Sequence, residues 1–112
     1  MAEILGHTER VALSRAGASL NEVVWSPAAL AQIRFIRAYV EQFNPGAARA
    51  LADDLIAAGN GLANLPLRGR RVPGTDMREL ITAHPYIIRY RVVGTVVRIL
   101  RVRHTAQRPT NP

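Results

Sequence analysis

The hydrophobic pattern of this chain changes its period once, at Pro66. Before this proline, apolar residues recur every three or four positions, as they do along one face of an α-helix. After it, β-branched and aromatic residues form three short runs separated by Gly and Pro. A single switch of this kind predicts an α+β domain in which helices and sheet come from separate segments. The length of 112 residues suits one hydrophobic core.

Two dipeptides, Ser26-Pro27 and Asn44-Pro45, predict helix starts, because Ser or Asn can cap a helix and Pro suits its first turn. The first helix should end near Phe43, and Pro66 must stop the second. Glycines at 59 and 61 make the last turns of the second helix the weakest part of the prediction. We expect an αα-hairpin whose buried seam consists of Leu30, Ile33, Ile36, Val40, Phe43, Ala48, Leu51, Leu55, Ala58, Leu62 and Leu65.

The β-forming runs predict one short strand before the first helix, at 23–25, and three strands after the second, at 77–82, 86–93 and 96–103. The stretch Val93-Gly94-Thr95-Val96 is typical of a two-residue hairpin turn, with Gly where φ must be positive. The predicted order is therefore β-α-α-β-β-β, with an antiparallel sheet and both helices on one face.

The hairpin turn also predicts which residues of the last two strands lie opposite each other. On the core face it pairs Tyr90 with Ile99 and Val92 with Val97. On the opposite face it pairs Arg91 with Arg98 and Arg89 with Leu100.

We divide the chain into an N-terminal extension at 1–21, a domain at 22–108 and a tail at 109–112. The extension has weak periodicity and is expected to be poorly ordered or to form a short helix at 2–13. No apolar run approaches the roughly 18 to 20 residues of a membrane span, and the first twenty residues do not resemble a secretory signal. We expect a soluble, cytoplasmic protein with no membrane partner.

Positive charge is concentrated in the C-terminal half. The net charge is +7, all fifteen basic residues are Arg, and ten of them follow Pro66, against only Asp76 and Glu79. Such a field attracts nucleic acid or an acidic protein segment. Because directly opposed like charges destabilise a sheet, the strand arginines need an anion. Either the two acids neutralise them as a surface network, or an external acidic segment or phosphate backbone does so.

In the predicted register, three apolar residues share the face of the strand arginines. An apolar strip edged with guanidinium groups suits an amphipathic acidic peptide better than bare duplex DNA, since Arg pairs bidentately with carboxylates. The residues predicted to contact an antagonist or target are Arg78, Arg89, Arg91, Arg98, Arg101, Arg103, Ile87, Leu100 and Val102.

His104 is the one candidate for acid–base catalysis. It could act as the general base on an RNA 2′-hydroxyl, with Arg78, Arg98 or Arg101 stabilising the phosphate charge. The plainer alternative is a strand-end histidine bonded to backbone. With no Cys and three scattered His, we expect no metal site and no cofactor.

The chain resembles the RelE/ParE superfamily of bacterial toxins, the toxic halves of type II toxin-antitoxin modules. The resemblance covers about residues 22–108, and its specificity lies in the order and spacing of several stretches that are weak individually. These stretches are VWSPAA (24–29), NPGAA (44–48), GRRVPGT (69–75), REL (78–80), PYIIRYRV (85–92) and ILRVRH (99–104).

The resemblance implies one of two activities. RelE-like members cut mRNA on the ribosome, whereas ParE-like members poison DNA gyrase without being enzymes. Ribonuclease members tend to carry Lys as well as Arg, and a Tyr or a His-Tyr pair near the C-terminus. Here Lys is absent, Thr105 follows His104, and Ile87 occupies a position where a ribonuclease Arg is expected.

The ParE-like branch is therefore favoured, with DNA gyrase as target and no catalysis. The resemblance also implies a cognate antitoxin whose acidic, partly disordered C-terminal segment folds over the helix hairpin and the arginines. A ribonuclease acting on mRNA at the ribosome is the alternative. A plain nucleic-acid-binding module is a third possibility, and would show strong salt-dependent DNA binding.

Overall fold

The computed structural model describes residues 21–106, so the predicted N-terminal extension except Asn21, its short helix and the C-terminal tail lie outside the described residues. Two helices pack on one face of a five-stranded sheet, which confirms the α+β class. After the second helix the chain makes one short 3₁₀ turn, Gly61–Ala63. The elements in chain order are β1 (Glu22–Trp25), α1 (Pro27–Glu41), α2 (Pro45–Asn60), β2 (Arg70–Arg71), β3 (Met77–Ile81), β4 (Tyr86–Val93) and β5 (Val96–His104).

Both predicted helix starts are confirmed by their capping bonds. The Oγ of Ser26 accepts the N–H of Ala29 at 3.0 Å, and the Oδ1 of Asn44 accepts the N–H of Ala47 at 3.0 Å. The Ser26 hydroxyl also donates to the carbonyl of Leu100 at 2.9 Å, which ties the start of α1 to β5. Within residues 21–106, neither helix is long and apolar enough to cross a bilayer.

The helical seam is buried as predicted at its centre and not at its ends. Phe43 is 71% exposed because α1 ends at Glu41, so Phe43 lies in the turn beyond the helix. Leu65 is 59% exposed because it follows the 3₁₀ turn, where helical periodicity no longer applies. Leu30, at the start of the seam, is also exposed, at 36%, and Val40 and Ala58 are half-buried. The buried seam residues are Ile33, Ile36, Ala48, Leu51, Leu55 and Leu62.

Helix α2 includes Gly59, and the absence of a side chain at this position allows Trp25 to lie against the helix. A Cβ at position 59 would come within 2.4 Å of Cζ2 of Trp25 and 2.8 Å of Cδ1 of Ile99. The indole Nε1 of Trp25 then donates to Oδ1 of Asn60 at 2.9 Å. The glycine lowers helix propensity but permits Trp25 of β1 to lie directly against α2.

The sheet is mixed, which corrects the predicted antiparallel sheet. Strand order is β1-β5-β4-β3-β2, and β1 runs parallel to β5 while the other pairs are antiparallel. The physical reason is the crossover: the helical hairpin between β1 and the later strands is long enough to return the chain in the same direction. Strand β2 was not predicted, because a strand of two residues is too short to show an alternation of apolar and polar residues.

The hairpin turn is confirmed, with Gly94 at φ 61°, and so are the pairs from the turn up to Tyr90 and Ile99. Beyond them a β-bulge interrupts the register, so that Arg89 lies opposite Arg101 and Leu100 is the extra residue. The bulge reverses the alternation of faces along the rest of β5. Val102 consequently belongs to the core, and Arg101 lies on the opposite face.

Tyr90 ties the middle of the sheet to the loop that follows α2. Its side chain is fully buried, its Oη donates to the carbonyl of Pro66 at 2.8 Å, and it accepts the N–H of Gly69 at 2.8 Å. Burial raises the pKa of Tyr90 above its ordinary value, against smaller opposing effects of the Gly69 hydrogen bond and nearby arginines. The hydroxyl is therefore neutral, and both of its hydrogen bonds are made with backbone groups of this loop.

Candidate partner-binding face

The face of the sheet that is turned away from the helices carries six arginines, and we call it the arginine face. Strand pairing places its members together across β2, β4 and β5. Five of them were predicted site residues, although Arg101 and Arg103 reach this face only through the bulge. The sixth, Arg70, was missed because β2 was not predicted. The six are Arg70, Arg89, Arg91, Arg98, Arg101 and Arg103.

Glu79 on β3 is the buried centre of this face. Its Oε2 accepts hydrogen bonds from Nη2 and Nε of Arg89, at 2.7 and 3.2 Å, and from Nη2 of Arg103 at 3.4 Å. Its Oε1 accepts from Nη2 of Arg70 at 3.4 Å. Burial alone would raise the pKa of Glu79, but the hydrogen bond and charge of Arg89, reinforced by Arg103, hold it below its ordinary value.

The second acid of this region, Asp76, lies 3.2 Å from Nη2 of Arg91 in an exposed ion pair. Both acids therefore neutralise arginines from within the chain, as one of the two alternatives drawn from the sequence required. Their roles differ, because the Glu79 and Arg89 side chains are 6% and 7% exposed, whereas the Asp76 side chain is 70% exposed. The first pair is structural, and the second is a surface pair of small energetic weight.

Two members of the arginine face, Arg98 and Arg101, make no ion pair with any residue in 21–106. Arg98 is exposed and lies opposite Arg91, and Arg101 is half-buried and lies opposite Arg89. Like charges are thus directly opposed at both positions. The prediction of an external anion, made for the whole face, therefore narrows to these two side chains of β5.

The apolar strip predicted on this face is not continuous. Val102 lies on the helix side, 2% exposed, and its N–H is held by Oε1 of Gln32 at 2.7 Å. Ile87 is on the arginine face as predicted but is 5% exposed, so it offers little surface. Leu100 is the half-buried bulge residue. The apolar side chains exposed on this face are at strand ends, in Ile81 and Val93.

Arg78, another predicted contact residue, lies outside the arginine face. It lies opposite Tyr90 on the helix side of β3, because neighbouring residues of a strand point to opposite faces. Its Nη1 donates to the carbonyl of Gly69 at 2.9 Å and, more weakly, to that of Leu67 at 3.4 Å. Arg78 therefore fastens the loop before β2 to the sheet.

His104 lies on the opposite side of the sheet from two of the three arginines that a ribonuclease mechanism would use. It lies opposite Tyr86 on the helix side, with the two rings edge to face at 5.2 Å, and its Nδ1 accepts the N–H of Ala106 at 2.9 Å. Arg98 and Arg101 lie on the other face of the sheet. No group of three potential metal ligands from His, Asp and Glu occurs within residues 21–106.

The fold and the matched sequence together define a toxin of a type II toxin-antitoxin system. The family model described as "ParE toxin of type II toxin-antitoxin system, parDE" matches residues 23–109, and the chain belongs to this family. The match starts one residue after the first residue of β1 and takes in every described element that follows.

Individual relatives agree with this assignment. Toxin RelE2 of Caulobacter vibrioides is 45% identical over 88 residues, which cover 79% of this chain and 99% of that protein. Y4kP of Sinorhizobium fredii, also named as a toxin, is 37% identical over 90 residues, covering 80% of this chain and 93% of the relative. A solved structure described as the chromosomal ParDE TA system from P. aeruginosa superposes with a TM-score of 0.71 at 21% identity. It covers 78% of this chain and 98% of its own, and it confirms the fold.

Proposed function

We propose that this toxin acts as a ParE-like inhibitor of DNA gyrase, through binding and without catalysing a reaction. The observation that supports this proposal is the separation of the groups that RNA cleavage would need. A general base and its phosphate-stabilising cations must converge on one phosphate within hydrogen-bond distance. In this chain His104 is on the helix side, bonded to backbone, while Arg98 and Arg101 are on the arginine face and Arg78 holds loop carbonyls.

The proposal includes neutralisation by a cognate antitoxin whose acidic, partly disordered segment folds over the helix hairpin and across the arginine face. The support is electrostatic: Glu79 and Asp76 already engage four of the six arginines, and Arg98 and Arg101 remain for carboxylates of a partner. Arginine favours such a partner because its planar fork binds a carboxylate through two hydrogen bonds. The exposed Ile81 and Val93 give an amphipathic segment apolar contacts at the two ends of the face.

Induction of the full chain in cells that lack the antitoxin tests the choice between gyrase and mRNA. We expect a change in plasmid supercoiling, induction of the SOS response and intact transcripts. His104→Ala should be as toxic as the wild type, because the proposal gives this side chain no chemical role. Purified gyrase should lose supercoiling activity when the wild-type or His104→Ala protein is added.

The ribonuclease alternative makes the opposite forecast for the same variant. Transcripts would be cut on induction, and His104→Ala would abolish both cleavage and toxicity while leaving the protein folded by circular dichroism. That outcome would overturn the gyrase proposal. Strong salt-sensitive binding of bare DNA by the isolated chain, with neither supercoiling change nor transcript cleavage, would overturn it in favour of a nucleic-acid-binding module.

A further inference from the structure

The loop between the 3₁₀ turn and β2 exposes two leucines that the proposed function does not use. Leu65 and Leu67 are 59% and 63% exposed. The N–H of Arg68 donates to the carbonyl of Leu65 at 3.1 Å, so both leucines lie within one tight turn. The turn comes after the helix hairpin, and it lies on the helix side of β3, away from the arginine face, because Arg78 of that side donates to the carbonyl of Leu67.

The backbone of this loop is held by buried side chains, so its exposed side chains are presented in a fixed geometry. The Oη of Tyr90 donates to the carbonyl of Pro66 and accepts the N–H of Gly69, both at 2.8 Å, and Nη1 of Arg78 donates to the carbonyl of Gly69 at 2.9 Å. A Cβ at position 69 would come within 2.7 Å of the Tyr90 ring, so the glycine permits this close packing. A partner that binds here does not have to order the loop, which lowers the entropic cost of binding.

Two arginines beside these leucines have no ion-pair partner in the described part of the chain. Arg68 and Arg71 are exposed and make no ion pair with any residue in 21–106. Arg71 lies on the edge strand β2, directly opposite Arg78, so like charges face each other. Asp54 and Arg68 line the same cavity, of about 380 Å³, but Oδ2 of Asp54 is bonded to Nε2 of His84 at 2.9 Å. The guanidinium groups of Arg68 and Arg71 are therefore available to carboxylates of another molecule.

Four residues, Leu65, Leu67, Arg68 and Arg71, form what we call the β2 loop surface, and their combination favours a protein partner over nucleic acid. A phosphate backbone pairs with arginines but gives exposed leucines no apolar counterpart. An acidic protein segment with apolar side chains matches both kinds of residue. The cavity beside Arg68 can accept one of those apolar side chains, since alanines of α2 and Leu80 of β3 line it.

We propose that the β2 loop surface binds an acidic segment with apolar side chains on the target protein. This inference rests on the proposed function, because the target is the gyrase that the toxin is proposed to inhibit. The toxin then uses different surfaces for its two partners: the helix hairpin and the arginine face receive the antitoxin, and the loop before β2 receives the target. Substitutions in the β2 loop surface should therefore weaken inhibition of the target without weakening antitoxin binding.

Inhibition of purified gyrase by the full chain, measured as the toxin concentration that halves supercoiling activity, tests the arginines. Arg68→Glu together with Arg71→Glu turns two attractive contacts into repulsive ones and should raise this concentration at least about tenfold. Arg34→Glu together with Arg37→Glu makes the same change of charge on α1 and should raise it less than about threefold. Both variants should keep the circular dichroism spectrum of the wild type, because all four side chains are exposed.

The leucines are tested separately, since they distinguish a protein partner from DNA. Leu65→Ser together with Leu67→Ser leaves the charge unchanged and should raise the half-inhibitory concentration about threefold or more, because apolar contacts with the target are lost. The affinity of the antitoxin for this variant, measured by titration calorimetry, should change less than about threefold.

Three results would overturn the inference and leave the proposed function standing. The first is a wild-type chain that inhibits gyrase together with loop variants that inhibit it equally well. The second is a leucine variant that loses its affinity for the antitoxin, since the β2 loop surface would then belong to that partner. The third is a weakened arginine variant beside a leucine variant of undiminished inhibition, which would assign the surface to DNA phosphates. A wild-type chain without effect on gyrase would contradict both the inference and the proposed function.

Discussion

The two faces of the sheet each bury a polar side chain near their middle, and they satisfy it in different ways. On the helix side, Tyr90 exchanges hydrogen bonds with two backbone groups of one loop, and Arg78 donates to two carbonyl groups of the same loop. On the arginine face, Glu79 gathers three guanidinium groups, and further arginines remain beside the cluster. The polar groups of Tyr90 and Arg78 on the helix side are satisfied within the chain, whereas Arg98 and Arg101 of the arginine face make no ion pair within residues 21–106.

The largest effect that separates the two faces is expected from Glu79→Ala. This change leaves the buried Arg89 guanidinium without its carboxylate, which should lower the free energy of unfolding by about 3–5 kcal/mol. Chemical denaturation measures the loss. Asp76→Ala is the matched control, since it removes an equal charge from the same region but from an exposed pair, and should cost less than about 1 kcal/mol. Similar losses in the two variants would show that Glu79 is not a buried structural ion.

A smaller effect is expected on the helix side from Tyr90→Phe. The ring still fills its place, but the N–H of Gly69 and the carbonyl of Pro66 lose their partner, at a cost of roughly 1–3 kcal/mol. Denaturant unfolding measures this loss, and hydrogen exchange at the Gly69 amide should quicken. Unchanged stability and exchange would mean that the hydroxyl does not fasten the loop after α2.

The smallest effect is a difference in pH dependence between the faces. The pKa of Glu79 is lowered by folding, so its contribution to stability is present above its unfolded pKa of about 4.3 and is lost as the pH falls below that value. The pKa of Tyr90 is raised, so its contribution is present below its unfolded pKa of about 10 and is lost as the pH rises through the folded value.

The free energy of unfolding, measured by denaturant titration at a series of pH values, checks both the acid and the alkaline loss of stability. Tyr90→Phe should lack its share of the alkaline loss and keep the whole acid loss, while Glu79→Gln should show the reverse. If the loss of stability at acid pH were unchanged in Glu79→Gln, another carboxyl group would have to account for it.

Much of the structure on the helix side could be predicted from local signals in the sequence. The caps at Ser26 and Asn44 depend on residues three positions apart, and the hairpin register depends on the single turn at Gly94. Interactions of this range leave a clear pattern in the sequence. The parallel pairing of β1 with β5 did not follow, because it joins segments separated by the whole helical hairpin.

The composition of the arginine face could be predicted only in part, because one residue, Leu100, forms a β-bulge. With strict alternation, Val102 shares a face with Arg98, and Arg101 lies in the core; the bulge at Leu100 exchanges them. A pattern argument could have located the bulge, because alternation past Leu100 buries two arginines of β5 and exposes a valine. The ion pairs of Glu79 had no such signal, since they join β3 to three other strands through side-chain geometry.

The most direct test of the central claim is the affinity of the cognate antitoxin for a chain that carries Arg98→Gln together with Arg101→Gln. The account predicts binding roughly 10- to 100-fold weaker than wild type, with a smaller loss of affinity on adding salt, because two charge-assisted contacts are removed. Arg34→Gln with Arg37→Gln removes the same charge from α1 and should change the affinity less than about threefold. Equal affinities for the two double variants would contradict the claim that the uncompensated arginines of β5 receive the acidic partner.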